Sequence, residues 1–330
     1  MHDINTLNNI IQQIKSHKKC LVLSHQNPDG DTLGSMLALG EILQKSGHVV
    51  DHVMSDPVPE VYKFLPFTSF VRAPGDASLQ KNYDLAFSLD CGSLNRLASA
   101  KDLWLKTTMT INIDHHVSNE RFGKINWIEP DATSTGHLVY WLSQKMGVKI
   151  STEIATCLYT TLLTDTGCFS NSNTNAEALH WGAELINSGA DHINVYRKAF
   201  LEKPYKTVKV FATGLNNINL IEKDQILWTF VGRDAMEKNG ATSEDTEDIA
   251  DYMMRTKGVK VGIFFREDKS EIKVSLRSNV DFDVSKIAIS MGGGGHKRAA
   301  GINIKKPLKE VQDLVLNTVT EEFKKYNGNK

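Results

Sequence analysis

The chain is poor in every feature that would tie it to a membrane, a secretory route or a long nucleic-acid track. No apolar run approaches the roughly 18 residues of a bilayer-spanning helix. The four cysteines, Cys20, Cys91, Cys157 and Cys168, form no CxxC pair. That spacing excludes the common cysteine-rich zinc patterns and makes a disulfide framework unexpected. Net charge is −1, from 38 Lys and Arg against 39 Asp and Glu, so the basic excess of a protein that grips many phosphates is missing. The opening segment, MHDINTLNNIIQQIKSHKK, places apolar residues at helical spacing and lacks the basic start and apolar middle of a secretory signal. A cytoplasmic location is the resulting expectation.

What is present suits two α/β domains, since 330 residues exceed the usual size of one. The first 200 residues carry 16 basic against 20 acidic side chains and the remainder 22 against 19. An acidic front suits a cation site, and a mildly basic back suits an anion-holding surface. Short β-rich runs alternate with helical patterns in the front half, which predicts a parallel sheet with helices on both faces. Strands are expected at Cys20–Ser24, Val49–Ser55, Asp84–Asp90 and Met109–Asp114, and helices at Thr135–Met146, Thr152–Leu163, Ala176–Asn187 and His192–Ala199. Leu33, Met36, Leu37, Gly40 and Leu43 share one face of a further helix that stops at Gly47. Beyond Pro204 come a connecting helix, the strand QILWTFV, a hairpin turning at EDKS, the run MGGGGHKRAAG, a short strand INI and a terminal amphipathic helix. These predict a smaller α/β domain with a mixed sheet. The boundaries expected are 1–190 for the front domain, 191–214 for a helical linker and 215–330 for the back domain.

Three expected strands end in the same way. LVLSH delivers His25 with Asp29 and Asp31 just beyond, LAFSLD delivers Asp90, and TINIDHH delivers Asp114, His115 and His116. In a parallel sheet these ends share one edge, outside which ligands bind. Asp165, before Gly167 at the end of another apolar element, joins them. So many carboxylates brought together are tolerable only if cations sit among them. Four carboxylates and two imidazoles, His25, Asp29, Asp31, Asp90, His115 and Asp165, suit two divalent ions with a shared carboxylate. Mixed oxygen and imidazole ligation favours manganese, with magnesium, iron or cobalt as substitutes. Taken singly each signal has an ordinary alternative. Asn27-Pro28-Asp29-Gly30 is a good turn and Asp31 a good helix cap, and Asp90 or Asp165 could be a turn acid.

In the back half Gly292–Gly295 can be read as flexible linker or as an anion-binding nest walled by His296, Lys297 and Arg298. Arg277, ending the strand KVSLRS, can be a phosphate fork or a solvated strand-end charge.

Together HQNPDGD, the LD at Asp90, DHH at Asp114–His116, TDTG at Asp165 and the later GGGGH resemble, in order and spacing, the motifs of the DHH phosphoesterases that carry a carboxyl-terminal DHHA1 domain. The likeness is greatest to stand-alone bacterial nano-RNases that also dephosphorylate 3′-phosphoadenosine 5′-phosphate. The resemblance implies that His25, Asp29 and Asp90 hold one manganese, and that Asp31, Asp90, His115 and Asp165 hold the other, Asp90 bridging. It implies that His116 faces the substrate phosphate and that Asp114 orients the histidines. Arg277, the Gly293, Gly294 and Gly295 backbone and His296 would grip the substrate's terminal phosphate or sugar. One departure is visible: some relatives place arginine after the phenylalanine that follows DTG, where this chain has Ser170 and Asn171.

The expected enzyme is thus a manganese-dependent phosphodiesterase and phosphatase acting on short RNA and on 3′-phosphoadenosine 5′-phosphate. Short substrates offer few phosphates, so a near-neutral protein suffices and long duplex nucleic acid is not an expected partner. Hydrolysis of cyclic or linear dinucleotides such as cyclic di-AMP is the alternative within the class. A non-catalytic, metal-stabilised nucleotide-binding module is the alternative outside it. A homodimer is compatible with either, and the proton donor to the leaving group is left open between water and His116.

Overall fold

The computed structural model describes residues 3–328, which fold as two compact units dividing after Glu202. Of the expected connector, residues 191–202 belong to the first unit and 203–214 to the second.

The first unit is built on six parallel strands: β1 (Lys19–Leu23), β2 (Val49–Val53), β3 (Val71–Arg72), β4 (Leu85–Leu89), β5 (Met109–Asp114) and β6 (Ile125–Ile128), in the spatial order β3-β2-β1-β4-β5-β6. Its helices are α1 (Ile4–Ser16), α2 (Gly30–Lys45), α3 (Lys101–Lys106), α4 (Thr135–Met146), α5 (Thr152–Asp165), α6 (Ala176–Asn187) and α7 (His192–Tyr196), the last running into a π-helical turn, Arg197–Leu201. Both sheet faces are covered, which is why the strands read as unbroken apolar runs. Cys20 and Val22 of β1 join the core formed with α2, α4 and α5, whereas Leu21 and Leu23 join a second core with Leu97 and Trp104. From β1 the chain runs outward through β2 and β3, then returns to place β4 on the other side of β1. Strand order therefore reverses between β1 and β4, and such a reversal opens a crevice at the carboxyl ends of the two strands.

Helix α2 starts two residues earlier than the sequence pattern indicates. Its cap is Asp29, whose carboxylate accepts from the Thr32 amide at 3.0 Å, and not Asp31. Asp31 thereby falls inside the first turn, with its carboxylate free to reach a neighbouring helix. Two glycines bring those neighbours close. A Cβ on Gly34 of α2 would meet the Cys157 carbonyl of α5 at 2.6 Å, and one on Gly136 of α4 would overlap Thr161 of α5. Helix α5 is thus packed against both, and its terminal Asp165 is carried to the edge where Asp31 lies.

The second unit holds a mixed sheet in the order β11-β12-β10-β9-β8-β7, from β7 (Asn219–Ile221), β8 (Ile226–Val231), β9 (Val261–Glu267), β10 (Ile272–Ser278), β11 (Gly294–His296) and β12 (Ala299–Ile304); only β8 and β9 pair in parallel. One face packs on α11 (Val284–Ser290) and α12 (Leu308–Gly328), whose Val311, Val315, Val319 and Phe323 form a stripe at i, i+4 spacing. Val210 of α8 (Tyr205–Asn216), Met236 of α9 (Arg233–Asn239) and Ile249 of α10 (Glu247–Met253) form a second core with Leu227, Val231 and Phe264. The glycine run is neither linker nor open loop. Gly294–His296 is an edge strand, and Gly293 lies so near the Gly301 carbonyl that no side chain would fit.

The Gly34→Ala variant is expected to lose about 1–3 kcal/mol of stability, the usual cost of forcing a methyl group into packed backbone. Urea denaturation checks it, and an unchanged midpoint would contradict the close α2–α5 approach.

Candidate metal centre

The crevice at the β1–β4 reversal collects all the acids and histidines expected there. Asp90 follows β4 directly and adopts a left-handed φ of 53°, an uncommon conformation for a side-chain-bearing residue that turns its buried carboxylate inward. Its two oxygens face different neighbours. Oδ2 lies 3.6 Å from His25 Nε2, while Oδ1 lies 3.7 Å from His115 Nε2 and 3.5 Å from His116 Nδ1. On the first side, ligand atoms of His25, Asp29 and Asp90 lie within 4.8 Å of one another; on the second, those of Asp31, His115 and Asp165 do the same. His115 Nε2 is 3.2 Å from Asp165 Oδ2 and 3.8 Å from Asp31 Oδ2.

Backbone hydrogen bonds aim these groups. His115 donates from Nδ1 to the Ala132 carbonyl at 3.2 Å, which leaves the lone pair on Nε2, facing the carboxylates. Asp31 is fully buried and accepts the Thr135 and Gly136 amides at 2.8 and 3.0 Å, so it sits on the first turn of α4. Asp114 Oδ1 accepts from the backbone amides of His115 and His116 and from His116 Nδ1 at 2.7 Å, while its Oδ2 accepts from the Asn119 amide. Asp114 is thus committed to four hydrogen bonds, three of them to the His115–His116 segment.

The family model described as "DHH family, N-terminal domain" matches residues 19–162, and the DHHA1 domain model matches residues 223–325. A curated relative from Thermus thermophilus, named bifunctional oligoribonuclease and PAP phosphatase NrnA, is 30% identical over 92% of this chain and 89% of its own length. The chain belongs to the DHH family. A Bacillus subtilis protein of the same name is 25% identical over 89% of this chain and 92% of its own. A solved exopolyphosphatase-related protein from Bacteroides fragilis superposes with a TM-score of 0.86 at 26% identity, covering 99% of this chain and 97% of that one.

Within this DHH domain the carboxyl groups are electrostatically out of place. Burial, with the charges of Asp90, Asp165 and Asp29, pushes Asp31 well above the ordinary carboxylate range. Burial, then Asp90 and Asp29, raises Asp165 to about 8. Its position at the carboxyl end of α5 adds the unfavourable end of a helix dipole. Burial opposes ionisation of Asp90 as well, but the His25 ring, the Thr32 hydroxyl and the adjoining His115 and His116 rings outweigh it, so Asp90 is shifted down. The Asp114 hydrogen bond raises His116 to about 9. Oxygen and imidazole donors crowded around groups that resist ionisation form a donor set that fits divalent cations.

Arg96, Thr32, Asn119 and Asn112 are engaged here without having been singled out in the sequence. Arg96 Nη2 stands 2.9 Å from His25 Nδ1, and the Gln26 amide donates to the Arg96 carbonyl. Asn119 bridges Asp114 to the Asn112 side chain and the Cys91 carbonyl. Asn119, three residues beyond the His pair, and Thr32, directly after Asp31, lie beside the motifs, whereas Asn112 is placed by the register of β5 and Arg96 by the turn that follows β4. Ser170 and Asn171 bond the Gly167 and Asp165 carbonyls, so they brace the loop after Asp165.

The pH response has a fixed sign. Asp165, raised in the folded state, binds its proton more tightly there than in the unfolded chain. It therefore withdraws stability as pH rises from the ordinary carboxylate range through about 8. His116, raised to about 9, acts in the same direction above its usual value near 6.5. Asp90, shifted down, acts only in more acidic solution. Chelator-treated protein should therefore melt at lower temperature at pH 8 than at pH 5.5, and added Mn2+ should raise the melting temperature more at pH 8. Scanning calorimetry with and without the ion measures both; a larger ion effect at pH 5.5 would contradict the assigned shifts.

Proposed function

We propose that this chain hydrolyses short oligoribonucleotides and 3′-phosphoadenosine 5′-phosphate with two divalent cations, manganese being the favoured ion, in the cytoplasm. The observation that carries the reading is the divided carboxylate of Asp90, one oxygen toward His25 and the other toward His115. A single side chain is so placed to serve two ion positions, with His25 and Asp29 completing one and Asp31, His115 and Asp165 the other. The names of the Thermus and Bacillus relatives support the substrate class.

Ions held by these residues would lower the pKa of water and offset charge on phosphoryl oxygens. The chain's own contribution lies in placement. With Nδ1 of His116 committed to Asp114, the remaining N–H of a ring whose side chain is 43% exposed is available to a phosphoryl or leaving oxygen. In the second unit, Arg277, Ala299 and His296 are paired in one row across β10, β12 and β11. Directly paired residues project from the same face, so the small Ala299 leaves room between a guanidinium and an imidazole. Arg277 is held by Asp251 at 2.6 Å, which fixes its direction before any phosphate arrives. Arg277, His296 and the Gly293–Gly295 backbone are the proposed grip on the substrate's terminal phosphate or sugar.

Purified protein with Mn2+ should release mononucleotide from a labelled RNA dinucleotide and AMP from 3′-phosphoadenosine 5′-phosphate, both faster than it opens cyclic di-AMP. Tight binding of all three without product would instead identify a binding module. Asp90→Ala should slow turnover by about 1,000-fold or more, since several kcal/mol of charge stabilisation is lost. Arg277→Ala should raise KM by about 10–100-fold with little change in kcat. Near-normal turnover in the Asp90 variant would overturn the two-ion arrangement.

A further inference from the structure

The position formed by Asp31, His115 and Asp165, with Asp90 bridging, is held from two segments distant in the chain. Residues 132–136, which lead into α4, hold three of the four side chains. The Ala132 carbonyl accepts from His115 Nδ1 at 3.2 Å, the Thr135 and Gly136 amides donate to Asp31 at 2.8 and 3.0 Å, and the Thr135 hydroxyl donates to Asp90 Oδ1 at 3.3 Å. Asp165 stands on the other segment, at the carboxyl end of α5. The two segments also meet one turn before Asp165, where Ser134 Oγ lies 3.2 Å from Thr161 Oγ1. The last carbonyls of a helix have no partner within it, so the end that carries Asp165 needs an outside donor. Asn173 supplies one and reaches across. Its Nδ2 donates to the Asp165 carbonyl and to the Thr133 carbonyl, both at 3.2 Å, one hydrogen for each. Its Oδ1 is buried and has no hydrogen-bond partner among the described residues, so the side chain is held by what it donates. Asn171 donates to the Asp165 carbonyl as well, at 3.0 Å, but it is exposed, and among the described residues its side chain bonds no group of residues 132–136.

We infer that Asn173 is a positioning residue of the metal centre: its amide ties the Thr133 carbonyl to the Asp165 carbonyl and so sets the distance between Asp165 and the side chains of Asp31, His115 and Asp90. Carboxylates on the two sides repel one another, and a neutral amide joins the segments without adding charge. The inference rests on the two-ion reading of the centre and adds to it the residue that fixes the spacing of one position.

The test is calorimetric titration of chelator-stripped, full-length protein with MnCl2, beside turnover of an RNA dinucleotide. Asn173→Ala should weaken at least one Mn2+ binding step about tenfold, the usual cost of removing a group that orients a metal ligand. Asn173→Ser, which keeps one hydrogen to donate, should lose less. Asn171→Ala, which leaves the crossing bond in place, should change Mn2+ affinity by less than about twofold. At limiting Mn2+ the kcat of Asn173→Ala should fall by a similar factor and recover when the ion is saturating, with KM for the dinucleotide unchanged. A loss of kcat that saturating Mn2+ does not restore would overturn the assignment. If the wild type binds Mn2+ and Asn173→Ala binds it equally well, or if Asn171→Ala weakens binding as much, the inference fails and the two-ion reading stands. If the wild type binds no Mn2+, both fall.

Discussion

Everything in the first unit is arranged around negative charge that the fold has gathered and cannot neutralise with its own cations. Asp31, Asp90, Asp114 and Asp165 come to one edge of a parallel sheet, and three of them are almost completely buried. The fold supports them unequally. Asp31 rests on two amides at the start of α4, the favourable end of a helix, whereas Asp165 ends α5, the unfavourable end. Asp114 is satisfied by backbone amides, His116 and Asn119. Asp90 alone faces imidazoles on two sides. That gradient, from a carboxylate saturated by hydrogen bonds to one that still holds a proton near pH 8, separates the residues that position from those with lone pairs free for cations.

Packing sustains the arrangement against its own repulsion. Glycines in α2 and α4 let α5 approach closely enough to present Asp165, and a core of Phe87, Ile111, Ile113 and Trp127 fixes the strands whose ends carry the acids. A sheet buried on both faces cannot slip register without exposing one apolar set, so the strand ends keep the spacing that the centre needs. Stability thus comes from the apolar interior and is drawn down at one edge, which is where chemistry would be expected.

The front-domain strands and most helices were legible because their periodicity and burial coincide; β5, α4 and α6 match the expected bounds residue for residue. Elements defined by a partner were not. β3 pairs through two residues, β6 is a short edge strand, and β11 is largely glycine, whose strand character exists only through β12. The acids and histidines could be read as a converging set because a parallel sheet forces its strand ends to one side. The contributions of Arg96 and Thr32 could not, since an arginine in a turn and a threonine in a helix have unremarkable local explanations.

The sequence by itself determined which chemistry is available: oxygen and imidazole donors at strand ends, four cysteines without CxxC spacing, and a net charge of −1. Those properties follow from residue types and from the two periodicities of the backbone, which are local. Tertiary structure decided which oxygen of Asp90 faces which imidazole, which carboxylates are spent on backbone amides, and that the glycine run is an edge strand. Those outcomes depend on strand order, on close helix approach and on burial, and none of the three is a property of any short stretch of chain.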